Sequence, residues 1–331
     1  MQDLYPLKFK PIYKEKIWGD QRLKSVLNKE IPSDKKIGES WEISAVQDNI
    51  SVVSNGFLAG NNLQELIEVY MADLVGENNY KKYGIEFPLL IKFIDADDVL
   101  SIQVHPDDEL AKKRHNAYGK TEMWYVVEAE KDAELIAGFN KEMTKEEYLK
   151  NLQNNTLPEI LNKEKVKAGD VFFLPAGRIH AIGAGILLAE IQQTSDVTYR
   201  IFDWNRKGQD GKPRELHTEL AVDAIDYNYY EDYRTTYEKN KNKTTNLANC
   251  QYFTTNILEF DKAVEKELIK IDSFVIYMCM DGKAELEYHE GERETIEKGE
   301  TVLIPAFMDY IKIIPKPETK LLEVYIKEET S

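Results

Sequence analysis

Gly169-Asp170-Val171-Phe172-Phe173-Leu174-Pro175-Ala176-Gly177-Arg178-Ile179-His180 is the stretch on which the reading of this chain turns. A glycine followed by an acidic residue makes a turn, and four apolar residues then make a short buried strand. Pro175 ends that strand's hydrogen-bond ladder because it has no N–H to give. The same order returns at Gly299-Glu300-Thr301-Val302-Leu303-Ile304-Pro305-Ala306. Such self-similarity points to two modules that vary one fold. The copies then part. Gly177 and His180 in the first correspond to Phe307 and Tyr310 in the second, so only the first keeps a metal-binding residue type.

Outward from this repeat, residues 51–55, 87–94 and 123–128 read as short strands punctuated by Gly, Pro and Asp, which predicts an all-β core. Residues 274–280, 284–288, 301–304 and 321–326 form a second strand series, with turns expected at Asp281-Gly282 and Glu290-Gly291. Helical spacing occurs in residues 62–71 and 144–153, and Thr144 with Glu147 makes a capping-box pattern. These helices read as covers and insertions. Residues 230–249 are polar and poor in aliphatics, and read as a connection, so the modules are expected at 1–240 and 241–331.

The chain has 331 residues and a net charge of −16, which opposes binding to a polyphosphate backbone and argues against nucleic acid as a partner. An acidic protein still binds a small anion by concentrating a metal ion or a few Lys and Arg in one pocket. No stretch nears the roughly 20 apolar residues of a spanning helix, and the opening Met1-Gln2-Asp3-Leu4-Tyr5-Pro6 lacks a secretory pattern, so no membrane and a cytoplasmic location are expected. Cys250 and Cys279 are too few for a disulfide framework and read as reduced thiols.

The spacing of Gly169, Pro175, Gly177 and His180 resembles the second motif of the cupins, jelly-roll proteins that commonly hold a divalent metal inside a β-barrel. Upstream, residues 100–105 alternate as a strand, which puts Ser101, Gln103 and His105 on one face. Glu122 shares a face with Trp124 and Val126, where a carboxylate is costly unless paired or metal-bound. Gln103, His105, Glu122 and His180 together offer two imidazoles, a carboxylate and an amide oxygen, which suits zinc with open positions for substrate. Alone, each has a plainer reading as a packed histidine or a salt-bridge partner; their conjunction favours a metal site. His115, His217 and His289 lack that context and read as surface or supporting residues, and Gly183-Ala184-Gly185 reads as a turn rather than a dinucleotide fingerprint.

Residues 38–42 (Gly-Glu-Ser-Trp-Glu), 100–108, 120–125 and 168–204 together resemble the class I mannose-6-phosphate isomerases in their short bacterial form. The resemblance implies two cupin-type jelly-roll barrels with short helical insertions, one zinc ion per chain on Gln103, His105, Glu122 and His180, and an active-site arginine at Arg200. It implies interconversion of mannose 6-phosphate and fructose 6-phosphate through an enediol. Phosphate and sugar contacts are expected from Ser101, Lys92, Glu39 and Lys120, and Glu190, Glu39 and Lys120 are the candidates for the base. The second module is expected to cover the first. The long forms insert a helical domain between the Glu and second His ligands; here only the excursion 138–165 stands there. A sugar phosphate is the expected partner, and a monomer or weak homodimer the expected state. The rival readings are an isomerase or epimerase of another sugar phosphate, and a non-catalytic sugar-binding cupin.

Overall fold

In the computed structural model, residues 4–208 and 211–327 are described, so the reading of Met1 to Asp3 lies outside the described residues. The chain is 42% strand and 15% helix, a mostly β protein with a cupin-type fold. Its core is three antiparallel sheets. The first runs Val171–Leu174, Glu122–Ala129, Ile186–Gln193, Leu89–Ala96, Ile37–Ile43, Ile12–Asp20. The second runs Leu161–Lys165, Glu134–Phe139, His180–Ala181, Ile102–Val104, Tyr199–Phe202. The third has eight strands, six of them drawn from residues 244–304 and a seventh, Tyr310–Tyr325, running along it; the short Leu7–Lys8 strand joins its edge beside Thr301–Ile304.

Burial explains the layering. Along Ile186–Gln193 every residue is buried, because Leu187, Ala189 and Ile191 face the third sheet while Ile186, Leu188, Glu190 and Gln192 face the second. A strand covered on both faces needs no polar alternation. Trp124, Val126, Leu188, Leu135 and Ile182 form the cluster between the first two sheets. Tyr148, Leu157 and Ala221 belong to the cluster that includes Ile102, Val104 and Tyr199, so the short helices cover the second sheet's outer face. The third sheet covers the first: Phe87 meets Phe274 at 4.5 Å between ring centroids, and Phe173 meets Phe253 at 6.4 Å.

The repeat is structural as well as textual. Gly169 and Gly299 sit in the left-handed region at φ 88° and 87°, where a side chain would be strained. Their amides donate to the carbonyls of Val126 and Cys279, and the amides of Val126 and Cys279 donate back to the carbonyls of Asp170 and Glu300. Strands Val171–Leu174 and Thr301–Ile304 follow at the same offset.

Helices Leu63–Tyr70 and Lys145–Gln153 form where expected, each with a capping box, on Asn62 with Glu65 and on Thr144 with Glu147. Four expectations are corrected. Residues 51–55 contribute only isolated bridges at Val52 and Val53. Asp281-Gly282 is not a turn but a bulge inside the long strand Val275–Tyr288, where Gly282 supplies φ 77°. The end of the presumed connection is a strand, Thr244–Asn249, paired with Thr254–Phe260. Among the described residues, the sheets do not hydrogen-bond into closed barrels. None of the described helices is long and apolar enough to cross a membrane.

Candidate metal centre and active site

Directly paired residues of antiparallel strands send their side chains to the same face. In the second sheet His180 pairs with Gln103 and Gln103 pairs with Arg200, which makes one row of three on the inner wall. His105 follows on the Gln103 face, just past the strand Ile102–Val104. On the opposing sheet Glu122 pairs with Gln192 and Leu174, and in the next row Trp124, Glu190, Lys92 and Trp41 stand side by side. The two walls meet at the cluster His105, Glu122 and His180, whose ligand atoms lie within 4.8 Å of one another. Glu122 Oε1 is 3.3 Å from His180 Nε2, and Glu122 Oε2 is 3.6 Å from His105 Nε2.

Both imidazoles are held for ligation. His105 Nδ1 donates to the Val197 carbonyl at 2.9 Å, and His180 Nδ1 donates to the Arg178 carbonyl at 2.8 Å. That fixes the tautomer that leaves each Nε2 lone pair facing the cavity. Burial pushes both rings towards the neutral form, His180 to about 3 and His105 well below its usual value, with Lys120 adding to the effect. Neutral imidazole is the form that binds a metal. Gln103 Nε2 is 3.2 Å from His180 Nε2, so its amide group lies at the same point, and an amide flip puts its oxygen there.

Lys120 occupies the gap between these groups. It is buried, its Nζ donates to His105 Nε2 at 3.1 Å, and it pairs with Glu122 Oε2. Glu122 Oε1 has no hydrogen-bond partner although it is fully buried. Burial lifts the Glu122 carboxyl to about 7 against the pull of Lys120. A cation is the natural complement of a desolvated carboxylate with one free oxygen beside two imidazole lone pairs. The donor set therefore fits a divalent metal.

The remaining nominees fall into two groups. Lys92 Nζ is 3.1 Å from Glu190 Oε1 and 3.8 Å from Glu39 Oε2, while Trp124 Nε1 donates to Glu190 at 2.9 Å and Trp41 Nε1 to Glu39 at 2.6 Å. Burial alone would raise Glu39, yet Lys92 and Lys16 hold it down at about 2; Glu190 is likewise lowered by Lys120 and Lys92. Ser101 is buried one residue before the Gln103 strand. The Arg200 guanidinium donates from Nη1 to the Glu215 carbonyl at 2.9 Å, and its buried Nε has no partner. Burial and then Arg214 lower its pKa. Of the histidines set aside, His217 accepts the Arg200 amide at 3.1 Å, His115 bonds the Tyr199 hydroxyl at 2.8 Å and His289 the Leu4 carbonyl at 2.9 Å.

Sequence reasoning did not find the aromatic lining. Trp41 carries Lys14 at 4.4 Å and Lys92 at 5.1 Å from its ring, and Trp124 stands edge-on to His180 at 5.2 Å. The alternation that put Glu122 on one face with Trp124 was the available signal. A surface cleft of about 590 Å³ is bordered by Asp108, Tyr118 and Asp196 and is lined by none of the four proposed ligands.

Residues 6–137 match the family described as phosphomannose isomerase type I, catalytic domain, and residues 242–325 match the mannose-6-phosphate isomerase cupin domain. The first match contains Gln103, His105 and Glu122 and ends before His180. The chain is 38% identical to the mannose-6-phosphate isomerase ManA of Bacillus subtilis over 93% of its length and 95% of that protein. It is 43% identical to the mannose-6-phosphate isomerase of Streptococcus mutans over 64% of this chain and 65% of that one. The crystal structure of the mannose 6-phosphate isomerase from Bacillus subtilis superposes with a TM-score of 0.86 at 32% identity, covering 96% of this chain and 99% of the other. A putative mannosephosphate isomerase from Archaeoglobus fulgidus shares the fold, at a TM-score of 0.78 and 21% identity over 99% of this chain and 100% of that one.

Proposed function

The chain belongs to the type I phosphomannose isomerases and is a mannose-6-phosphate isomerase, and on that premise we propose that Gln103, His105, Glu122 and His180 hold one zinc ion beside the reacting carbons of the sugar. The observation that carries this is the free, fully buried Glu122 Oε1 set against two imidazoles whose other nitrogens are tied to backbone carbonyls. When bound, zinc supplies positive charge and polarises a substrate oxygen.

Converting mannose 6-phosphate to fructose 6-phosphate moves a proton between C2 and C1 through an enediol, with negative charge growing on the sugar oxygens. Arg200, in one row with Gln103 and His180, stabilises that charge with a guanidinium that stays protonated. Glu190 is held ionised by its lysine neighbours and is therefore able to accept a proton at neutral pH. Lys120, which pairs with Glu122 and donates to His105, is the second candidate for moving that proton. Lys92 and Ser101 serve the phosphate and sugar hydroxyls, and Glu39 acts on substrate through Lys92, which it helps to fix.

We read residues 1–240 as the catalytic module and 241–331 as a jelly roll without metal ligands, each a variant of the cupin sandwich; the family match that starts at residue 242 supports this. We read the protein as a monomer or weak homodimer working in the cytoplasm. Metal analysis of the purified protein with a coupled mannose 6-phosphate assay tests the function. About one zinc per chain and activity that chelation removes and zinc restores are expected. Full turnover by zinc-free protein would sink the metal assignment.

A further inference from the structure

The segment between the modules runs back along the metal-binding loop from end to end. Tyr237 donates its hydroxyl to the Gly169 carbonyl at 2.7 Å, Arg234 pairs with Asp170 at 3.1 Å, and the Thr235 amide donates to the Val171 carbonyl at 2.8 Å. At the other end the Asp226 amide donates to the Gly177 carbonyl at 2.8 Å. Between them lies Arg178, buried at 8% exposure, with its guanidinium 4.2 Å from the ring centre of Tyr230 and 4.8 Å from that of Tyr233, and 3.9 Å from Asp226.

Tyr233 anchors this stack to the second sheet. Its hydroxyl donates to the Phe139 carbonyl at 2.9 Å and accepts the Tyr230 amide at 3.2 Å. Its ring lies so close to Gly138 that a Cβ there would come within 2.2 Å of it, and the Gly138 amide in turn donates to the Ile179 carbonyl at 2.7 Å. Arg178 and Ile179 are the two residues before His180, and the Arg178 carbonyl is the acceptor that sets the His180 tautomer.

We infer that residues 226–237 form a strap that positions the metal centre, with the Tyr230–Arg178–Tyr233 stack orienting the carbonyl that holds His180. This rests on the metal reading above and adds residues that touch neither metal nor substrate. Tyr230, Tyr233 and Arg178 are positioning residues, acting through the His180 Nδ1 bond. The second copy of the loop is held differently: Ala306 and Phe307 donate their amides to the carbonyls of Leu74 and Asp73. The strap thus goes with the copy that carries the ligand.

The test uses the full chain. Tyr230 is 39% exposed, so Tyr230→Ala leaves little unfilled in the core. Zinc affinity is read by competition with a chelator, and ligand geometry by the visible absorption of the cobalt(II)-substituted protein. Tyr230→Ala is expected to weaken zinc about ten- to a hundredfold and to shift the cobalt spectrum. Tyr230→Phe, which keeps the stacked ring, is expected to restore most of both. Melting of the chelated protein should stay close to wild type, which a purely structural loss would not allow. Unchanged zinc affinity and cobalt spectrum in both Tyr230→Ala and Arg178→Met would overturn the strap while leaving the metal site standing. A wild-type chain that takes up neither zinc nor cobalt would overturn both.

Discussion

Arg200 stands directly opposite Gln103 across the strand pair Tyr199–Phe202 and Ile102–Val104, so its side chain leaves on the face that carries His180. Its guanidinium is held by a backbone carbonyl, that of Glu215, and its buried Nε is free to turn towards a bound sugar. Arg200→Ala should lower kcat on the order of a hundred- to a thousandfold. Zinc content and melting temperature should stay near wild type, because the residue neither ligates nor plugs the core. Turnover retained in the zinc-loaded variant would remove Arg200 from the chemistry.

Glu122 is the one carboxylate of the ligand cluster and pairs with a buried lysine. Glu122→Gln keeps the shape but removes the charge, leaving Lys120 without its counter-ion in a desolvated site. The variant should lose most of its zinc on dialysis against a chelator under conditions where wild type keeps about one per chain. Its melting temperature should also stop responding to added zinc, since only a ligand that binds the native state raises it. Zinc-dependent stabilisation of wild-type size in Glu122→Gln would refute the assignment.

How far the site was legible follows from which contacts are local. His180 was readable because its position is fixed by a turn, a four-residue strand and a proline, all within one stretch. His105 and Glu122 were readable as faces of short strands. The pairing of Lys92 with both Glu190 and Glu39 was not, because it depends on the register of three strands far apart in sequence. Asp281-Gly282 misled for a related reason. The signal reports a need for positive φ, and a bulge within a continuous strand meets that need as well as a turn. Residues 230–249 looked like a plain connection because the strap at its start, held by backbone amides and tyrosine rings, has no apolar periodicity to read.

Glu39 gives a stability prediction with a definite sign. Its folded pKa, about 2, lies below the ordinary 4.5, so the unfolded chain takes up its proton first as pH falls. The stabilisation is therefore complete above about pH 5 and is lost as pH drops through the window down to about 2, by roughly 3 kcal/mol in all. In Glu39→Gln that contribution is absent. Urea unfolding of chelated protein at pH 5 and pH 3 should show a steeper loss for wild type than for the variant; equal slopes would mean that Lys92 and Lys16 do not hold this carboxylate.

Tyr310 occupies in the second module the sequence position that His180 holds in the first, and restoring histidine there is the obvious way to ask whether a second metal site lies dormant. The strand is turned over: His180 is 1% exposed and Tyr310 43%, and it is Ile311 that enters the core. Opposite, Ile304 pairs with Val275 where Leu174 pairs with Glu122, so the carboxylate ligand is missing too. What the second module keeps is the next row. Tyr277 and Asn256 flank Glu323 as Trp124 and Lys92 flank Glu190, and Lys266 Nζ closes on Glu323 at 2.7 Å. Both Glu323 oxygens are satisfied, Oε2 by the Asn256 amide and Oε1 by the Tyr277 hydroxyl and Lys266, whereas Glu122 Oε1 is left without a partner. Tyr310→His should thus leave zinc at about one per chain and the isomerase rate unchanged. A second equivalent of tightly held zinc in that variant would show that the second module's inner wall had been misassigned.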